Sequence, residues 1–299
     1  MNKIPESELK ILFPEFTDIS ELRSGGFKTV YRAVKASGEL EALKVVAIPD
    51  AGKTSNEKAH HKEEIGRVIR EISILGKSQS PHIVRLAKVP LTHKEYFGKD
   101  FVVYSEEFLD GGNLWDPIID GEDKPSEIEL RELLRDMLKA IKELHRLQVV
   151  HRDIKPLNIM KSGNSERPFI LIDLGIAFSL QGTALTANAE NRRPMATYRY
   201  ISPEQCDPRN RANLDYRSDL YSLALTVFEY AAHEHPIAHD MDDFIQTVSR
   251  ALNESPKALK DLRPDLSPEF CGLVDQLLKK RPALRPANLN MLIKKMEAS

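Results

Sequence analysis

His151-Arg152-Asp153-Ile154-Lys155-Pro156-Leu157-Asn158 gathers an imidazole, two cations, a carboxylate and an amide into one short run, and Ile170-Leu171-Ile172-Asp173-Leu174-Gly175 follows shortly after. Helical patterns flank both strings. Upstream, Ser126 with Glu129 three residues later reads as a capping box opening a long amphipathic helix. That helix carries Leu130, Leu133, Leu134, Met137, Leu138, Ile141 and Leu144. Downstream, Arg217–Ala232, Asp243–Leu252 and Glu269–Leu278 repeat the helical spacing. Before Asp110-Gly111-Gly112 the character is different. Ile19, Leu22, Val30 and Tyr31 surround the turn-like Ser24-Gly25-Gly26, which predicts a hairpin, and Leu40–Ile48 predicts a third strand. Residues from Pro49 to Lys62 read as a polar loop. Ile65, Val68, Ile69, Ile72 and Leu75 predict one helix stopped by Gly76, and Ile83–Val89 and Phe101–Phe108 are β-like.

The composition bounds the class. With 299 residues, 41% hydrophobic and 29% charged, the chain is globular and not disordered. Its 43 Lys and Arg against 45 Asp and Glu leave a formal charge of −2, which carries no electrostatic footprint for nucleic acid or an anionic membrane. Cys206 and Cys271 make no disulfide framework and read as thiols in a reducing compartment. The N-terminal MNKIPESELKILFPEF is too acidic for a signal peptide, and no run approaches the ~20 apolar residues that span a bilayer. A cytoplasmic protein without nucleic-acid or membrane partners is expected. No internal repeat is present.

In order and spacing, His151–Asn158, Asp173-Leu174-Gly175 and Ser202-Pro203-Glu204 resemble the protein-kinase signatures HRDxKxxN, DFG and APE. Lys44 in Ala42-Leu43-Lys44 and Glu71 in Arg70-Glu71-Ile72-Ser73-Ile74-Leu75 complete the set, so the resemblance runs from about Leu22 to Arg285. It implies an α+β, bilobal kinase fold with ATP between the lobes. Residues 1–109 form a small β-rich lobe with one main helix, and residues 110–299 a larger helical lobe, close to one catalytic domain with short ends. It also implies roles for single residues, because phosphoryl transfer rests on positioning and charge neutralisation. Lys44 is expected on the α- and β-phosphates, oriented by Glu71. Asp173 and Asn158 are expected to hold magnesium, or manganese, as hard oxygen ligands. Asp153 is expected at the acceptor hydroxyl and Lys155 at the γ-phosphate. Leu22, Gly25, Gly26, Val30, Ala42, Glu107, Leu109 and Asn113 are the expected nucleotide contacts, Leu109 through its backbone and Asn113 at the ribose. Asp219 is expected to anchor the catalytic loop, and Glu204 to pair with Arg285.

Lys155, two residues after Asp153, and Ala196-Thr197-Tyr198-Arg199-Tyr200-Ile201-Ser202-Pro203-Glu204 resemble the serine/threonine pattern of the family, with Thr197 expected near Asp153 and Lys155. The stretch Asp215–Leu223 looks most like the bacterial, eukaryote-like serine/threonine kinases. A protein substrate with a Ser or Thr acceptor is implied, together with autophosphorylation. Leu157, where basophilic kinases often carry an acid, argues against a basic-directed substrate motif.

The chain departs from the family in three places. In Leu22-Arg23-Ser24-Gly25-Gly26-Phe27-Lys28-Thr29-Val30, Arg23 and Lys28 replace the first and third glycines of LGxGxFGxV, so reduced ATP affinity is expected. Glu106 falls at the gatekeeper site, and a buried carboxylate there needs a partner. Leu174 replaces the usual phenylalanine. Arg152 calls for an anion on the activation segment, either Glu190 or a phosphate on Thr183 or Thr186. Two motifs are set aside. Ala51-Gly52-Lys53-Thr54 lacks the first glycine of a Walker loop, which falls at Ala47. His233-Glu234-His235 reads as an ordinary turn and not as a zinc site. The alternatives are a pseudokinase scaffold, opposed by the complete set of Lys44, Asp153, Asn158 and Asp173, and a small-molecule phosphotransferase, opposed by Ser-Pro-Glu and Lys155.

Overall fold

A computed structural model of the chain describes residues 3–25, 28–48, 65–66, 68–69, 72–121, 123–173, 195–207, 214–239 and 241–297. They fall into two compact units, one within Met1–Ser78 and Val84–Leu109, the other within Gln79–Ile83, Asp110–Leu174 and Arg192–Ser299.

The first unit is built on an antiparallel sheet of β1 (Phe16–Ser24), β2 (Lys28–Lys35), β3 (Leu40–Ala47), β4 (Thr92–Tyr96) and β5 (Lys99–Glu107), in the order β1-β2-β3-β5-β4. Alternation along β2 buries Thr29, Tyr31 and Ala33 on one face, where Leu43, Val45 and Val103 join them. The opposite face carries Val30, Ala42, Lys44, Tyr104 and Glu106, because the register pairs Val30 with Lys44, Lys44 with Tyr104 and Ala42 with Glu106. Residues 65–66, 68–69 and 72–75 are helical as expected, with Val68, Ile72 and Leu75 buried.

Three features of this unit correct the sequence reading. A helix at Glu6–Leu12 precedes the sheet and buries Leu9, with Ile4 and Phe13 beside it in the sheet core. The acidic character of this stretch hid it. Ile83–Val89 is not a regular strand: it makes isolated bridges, Ile83 to Leu171 and Leu86 to Glu106, and separate backbone hydrogen bonds to β5, such as the Ala87 amide to the Ser105 carbonyl at 2.8 Å. Beyond β5 lies a strand absent from the sequence reading, β4, whose Thr-His-Lys-Glu-Tyr offers no apolar alternation because it is an edge strand. Phe97 and Gly98, both at positive φ (49° and 70°), form the tight turn between them.

In the second unit the helix Glu127–Arg146 buries the seven apolar positions expected of it. Ser126 caps it by accepting from the Glu129 amide at 3.3 Å. Glu129 does not complete the box, since its carboxylate accepts from Tyr230 (2.7 Å) and pairs with Lys161 (3.1 Å). Tyr216–Ala232 is buried from Ser218 onward, the mark of a central helix. Trp115–Asp120, Phe244–Asn253, Leu259–Leu262, Pro268–Leu277 and Leu289–Glu297 are the unit's other α-helices among the described residues, and β6 (Ile159–Lys161) pairs with β7 (Phe169–Leu171). Among the described residues no helix is long and apolar enough to cross a membrane.

Candidate active site

The loop from His151 to Asn158 is held by its own polar groups. Lys155 Nζ donates to both Asp153 carboxylate oxygens, at 3.0 and 2.8 Å. Asn158 Nδ2 donates to the Asp153 carbonyl at 2.7 Å and to Asp153 Oδ2 at 3.0 Å. With its amino group spent this way, the Asn158 side chain keeps its amide oxygen for another partner. The pairing of Ile159 with Leu171 brings Asn158 to the same end of the ribbon as Asp173, and the Ile172 amide donates to the Asn158 carbonyl at 2.9 Å. Carboxylate and amide oxygens are the donor set a magnesium ion takes, so the residues present fit that ion.

Strain in this region is over-determined by hydrogen bonds. Arg152 and Asp173 both sit at positive φ, 67° and 59°, which side-chain-bearing residues adopt at a cost. The Asp219 carboxylate accepts from the His151 and Arg152 amides, each at 2.8 Å, and Gln205 Nε2 donates to the Arg152 carbonyl at 3.1 Å. Gln205 directly follows Ser202-Pro203-Glu204 in the sequence, and nothing in its residue type points to this contact. His151 is buried, and burial pushes its imidazole down to about 4. It therefore stays neutral, with Nδ1 accepting from the Asp153 amide (3.3 Å) and Nε2 donating to the Ile172 carbonyl (3.2 Å).

A second tier holds this loop's surroundings. Arg285 forms a two-pronged ion pair with Glu204, at 2.6 and 2.9 Å. Burial raises the Glu204 carboxyl, yet hydrogen bonds and charge from Arg285 outweigh it and leave Glu204 below the usual carboxylate range. His235 is also buried. Its Nδ1 accepts from the Ile237 and Ala238 amides, at 3.2 and 2.8 Å, so that nitrogen serves the turn.

In the first unit, Val30, Ala42 and Lys44 share one sheet face. Lys44 forms an ion pair there with Glu106, the carboxylate that the sequence had placed without a partner. Leu22 lies at the bulge between Glu21 and Arg23 and is 52% exposed. The Gly25 amide closes the hairpin on the Lys28 carbonyl at 2.8 Å. Glu107 faces the other side of the sheet, where its carboxylate accepts from the Arg85 amide at 2.9 Å. Leu109 ends this unit. Asn113, in the second unit, spends its side chain locally, accepting from the Trp115 amide (2.8 Å) and donating to Asp116 (3.0 Å). Asp116 is thus a carboxylate at the expected ribose position that the sequence reading passed over. Glu71, Gly26, Leu174, Thr183, Thr186, Glu190, Lys53 and the Thr197 side chain lie outside the described residues.

Comparison with known proteins agrees with this geometry. The family description "Protein kinase domain" matches residues 16–296. Serine/threonine-protein kinase 10-A of Xenopus laevis is 29% identical over 279 residues, covering 92% of this chain and 26% of the relative. The chain thus spans about a quarter of the length of that relative. The dual specificity mitogen-activated protein kinase kinase mek-1 of Caenorhabditis elegans is 35% identical over 160 residues, 52% of this chain and 42% of that one. The crystal structure of the Mycobacterium tuberculosis PknI kinase domain superposes with a TM-score of 0.62 at 21% identity, covering 95% of this chain and 96% of that domain. With the His151–Asn158 loop, two compact units and a family match over most of its length, this chain belongs to the protein kinase family.

Proposed function

We propose that the chain is a serine/threonine protein kinase that transfers the γ-phosphoryl group of ATP to a protein hydroxyl and also phosphorylates itself. The observation that carries the reading is the Asp153 carboxylate, held in a strained loop by Lys155 and Asn158. Asp153 orients the attacking hydroxyl and accepts its proton. Lys155, already on that carboxylate, neutralises charge on the transferred group. Asn158 and Asp173 hold magnesium, which supplies charge neutralisation to the phosphates when bound. Lys44, with Leu22, Gly25, Gly26, Val30, Ala42, Leu109 and Asn113, binds the nucleotide, Glu107 contributes only through its main chain because its side chain turns to Arg85, and Glu71 orients Lys44. The proposed lobes are residues 1–109 and 110–299, and the proposed setting is cytoplasmic. Lys155 supports the Ser/Thr reading, and the similarity to a dual specificity relative makes the acceptor residue a point to measure.

A pseudokinase reading draws on the Lys44–Glu106 pair and the altered glycine loop. One assay separates the two. Labelled ATP with magnesium, the chain and a generic protein substrate should give phosphoserine or phosphothreonine, with Asp153→Asn and Lys44→Met each lowering the rate by at least about 100-fold. Transfer that survives Asp153→Asn contradicts the mechanism, and nucleotide binding without transfer by the wild-type chain supports the scaffold.

A further inference from the structure

The sheet register sets Lys44 and Glu106 on one face of neighbouring strands, in adjacent paired rows. Their charged ends form an ion pair, with side chains only 3% and 2% exposed. Water screens such a pair poorly, so the carboxylate compensates the ammonium charge at close range. Glu106 is a second carboxylate for Lys44, distinct from the Glu71 that the family motif assigns to it. We propose that Glu106 is a built-in counter-ion that competes with nucleotide phosphate for Lys44 and thereby sets how tightly the phosphates are held. The inference rests on the nucleotide-binding reading above and adds to it a residue that determines affinity.

The physical reason is charge bookkeeping at one nitrogen. An ammonium has three N–H donors but a single positive charge. With Glu106 in contact, a phosphate approaching Lys44 meets an ammonium whose charge this carboxylate offsets, and the carboxylate itself repels the phosphate oxygens. Glu106→Gln keeps the volume and an acceptor for the Lys44 N–H while removing the charge. One carboxylate fewer then competes with phosphate for the ammonium, a change that the uncharged adenine base does not feel. The contrast between ligands with and without phosphates is therefore the signature of this role.

The test is a direct titration of the full chain, wild type and Glu106→Gln, with ATP, ADP and adenosine in magnesium buffer. The expected result is ADP and ATP binding about tenfold tighter in the variant, with adenosine affinity unchanged. Equal ATP affinity in the two proteins overturns the proposal. So does an equal gain for adenosine, which marks a reshaped base pocket and not released charge. If a melting curve shows that Glu106→Gln does not fold, Glu106→Met fills the same space without charge, and its ratio of ATP to adenosine affinity is expected to rise by the same factor. A wild-type chain that binds none of the three ligands overturns the nucleotide reading itself, a failure visible before any variant is compared.

Discussion

At the residue scale, the second unit takes histidines out of water and keeps them neutral. Burial pushes His235 down to about 3 and His151 to about 4. In the unfolded chain each takes up a proton as the pH falls through 6.5. The folded chain does not do so until far lower, so their stabilising contribution is complete above pH 6.5 and is lost progressively below it. Asp219 acts in the opposite sense, because burial raises it to about 7 against the two amides it accepts from. A single variant isolates the histidine share. His235→Asn keeps an acceptor for the Ile237 and Ala238 amides but has no proton to gain. Urea denaturation at pH 7 and pH 5 is expected to show a stability loss about 2 kcal/mol smaller in the variant than in the wild type. Equal losses in both proteins would show that His235 titrates normally in the fold.

At the element scale, close backbone approach joins the start of the second unit to its small ribbon. A Cβ on Gly111 would stand 2.4 Å from the Lys161 carbonyl oxygen and 2.8 Å from its carbon. The obstacle is backbone, itself tied by the Lys161 amide to the Gly112 carbonyl at 2.9 Å, so it cannot swing aside as a side chain can. Gly111→Ala is expected to cost about 1–3 kcal/mol by overpacking and to lower the urea midpoint. Gly163→Ala, at a site with nothing within 4 Å, is the control and should leave the midpoint almost unchanged. A Gly111→Ala midpoint matching the control would mean that the ribbon yields freely. The sequence exposes Gly111 as a break between strand-rich and helix-rich text. It does not show the strand partner that forbids a side chain there, because that partner lies fifty positions on in the chain and is met only after folding.

At the scale of the whole molecule, one contact joins residues 81 positions apart. The Arg285 guanidinium is fully buried and grips Glu204, and it also donates to the carbonyls of Lys279 (2.8 Å), Arg217 (2.7 Å) and Lys280 (3.0 Å). A lysine has one charged nitrogen and cannot reproduce that fork. Arg285→Ala, which leaves the largely buried Glu204 carboxylate (12% exposed) with the Ser218 hydroxyl but no counter-charge, is expected to cost about 3 kcal/mol. Arg285→Lys should recover only a minor part, as measured by thermal or urea unfolding. Full recovery by lysine would reduce the contact to simple charge pairing. Legibility follows the same division between local and long-range information. Motif order and hydrophobic spacing are local properties; they suffice for the kinase family, the hairpin and the long helices, and they nominate Asp153, Lys155, Asn158 and Asp173 as candidate site residues. Tertiary structure alone decides that Glu106 meets Lys44, that Gln205 braces Arg152 and that Thr92–Tyr96 is the edge strand. Each of these depends on which backbone comes to lie beside which. A polar side chain declares its chemistry in the sequence, but its partner is chosen only when folding removes the water that would otherwise satisfy it.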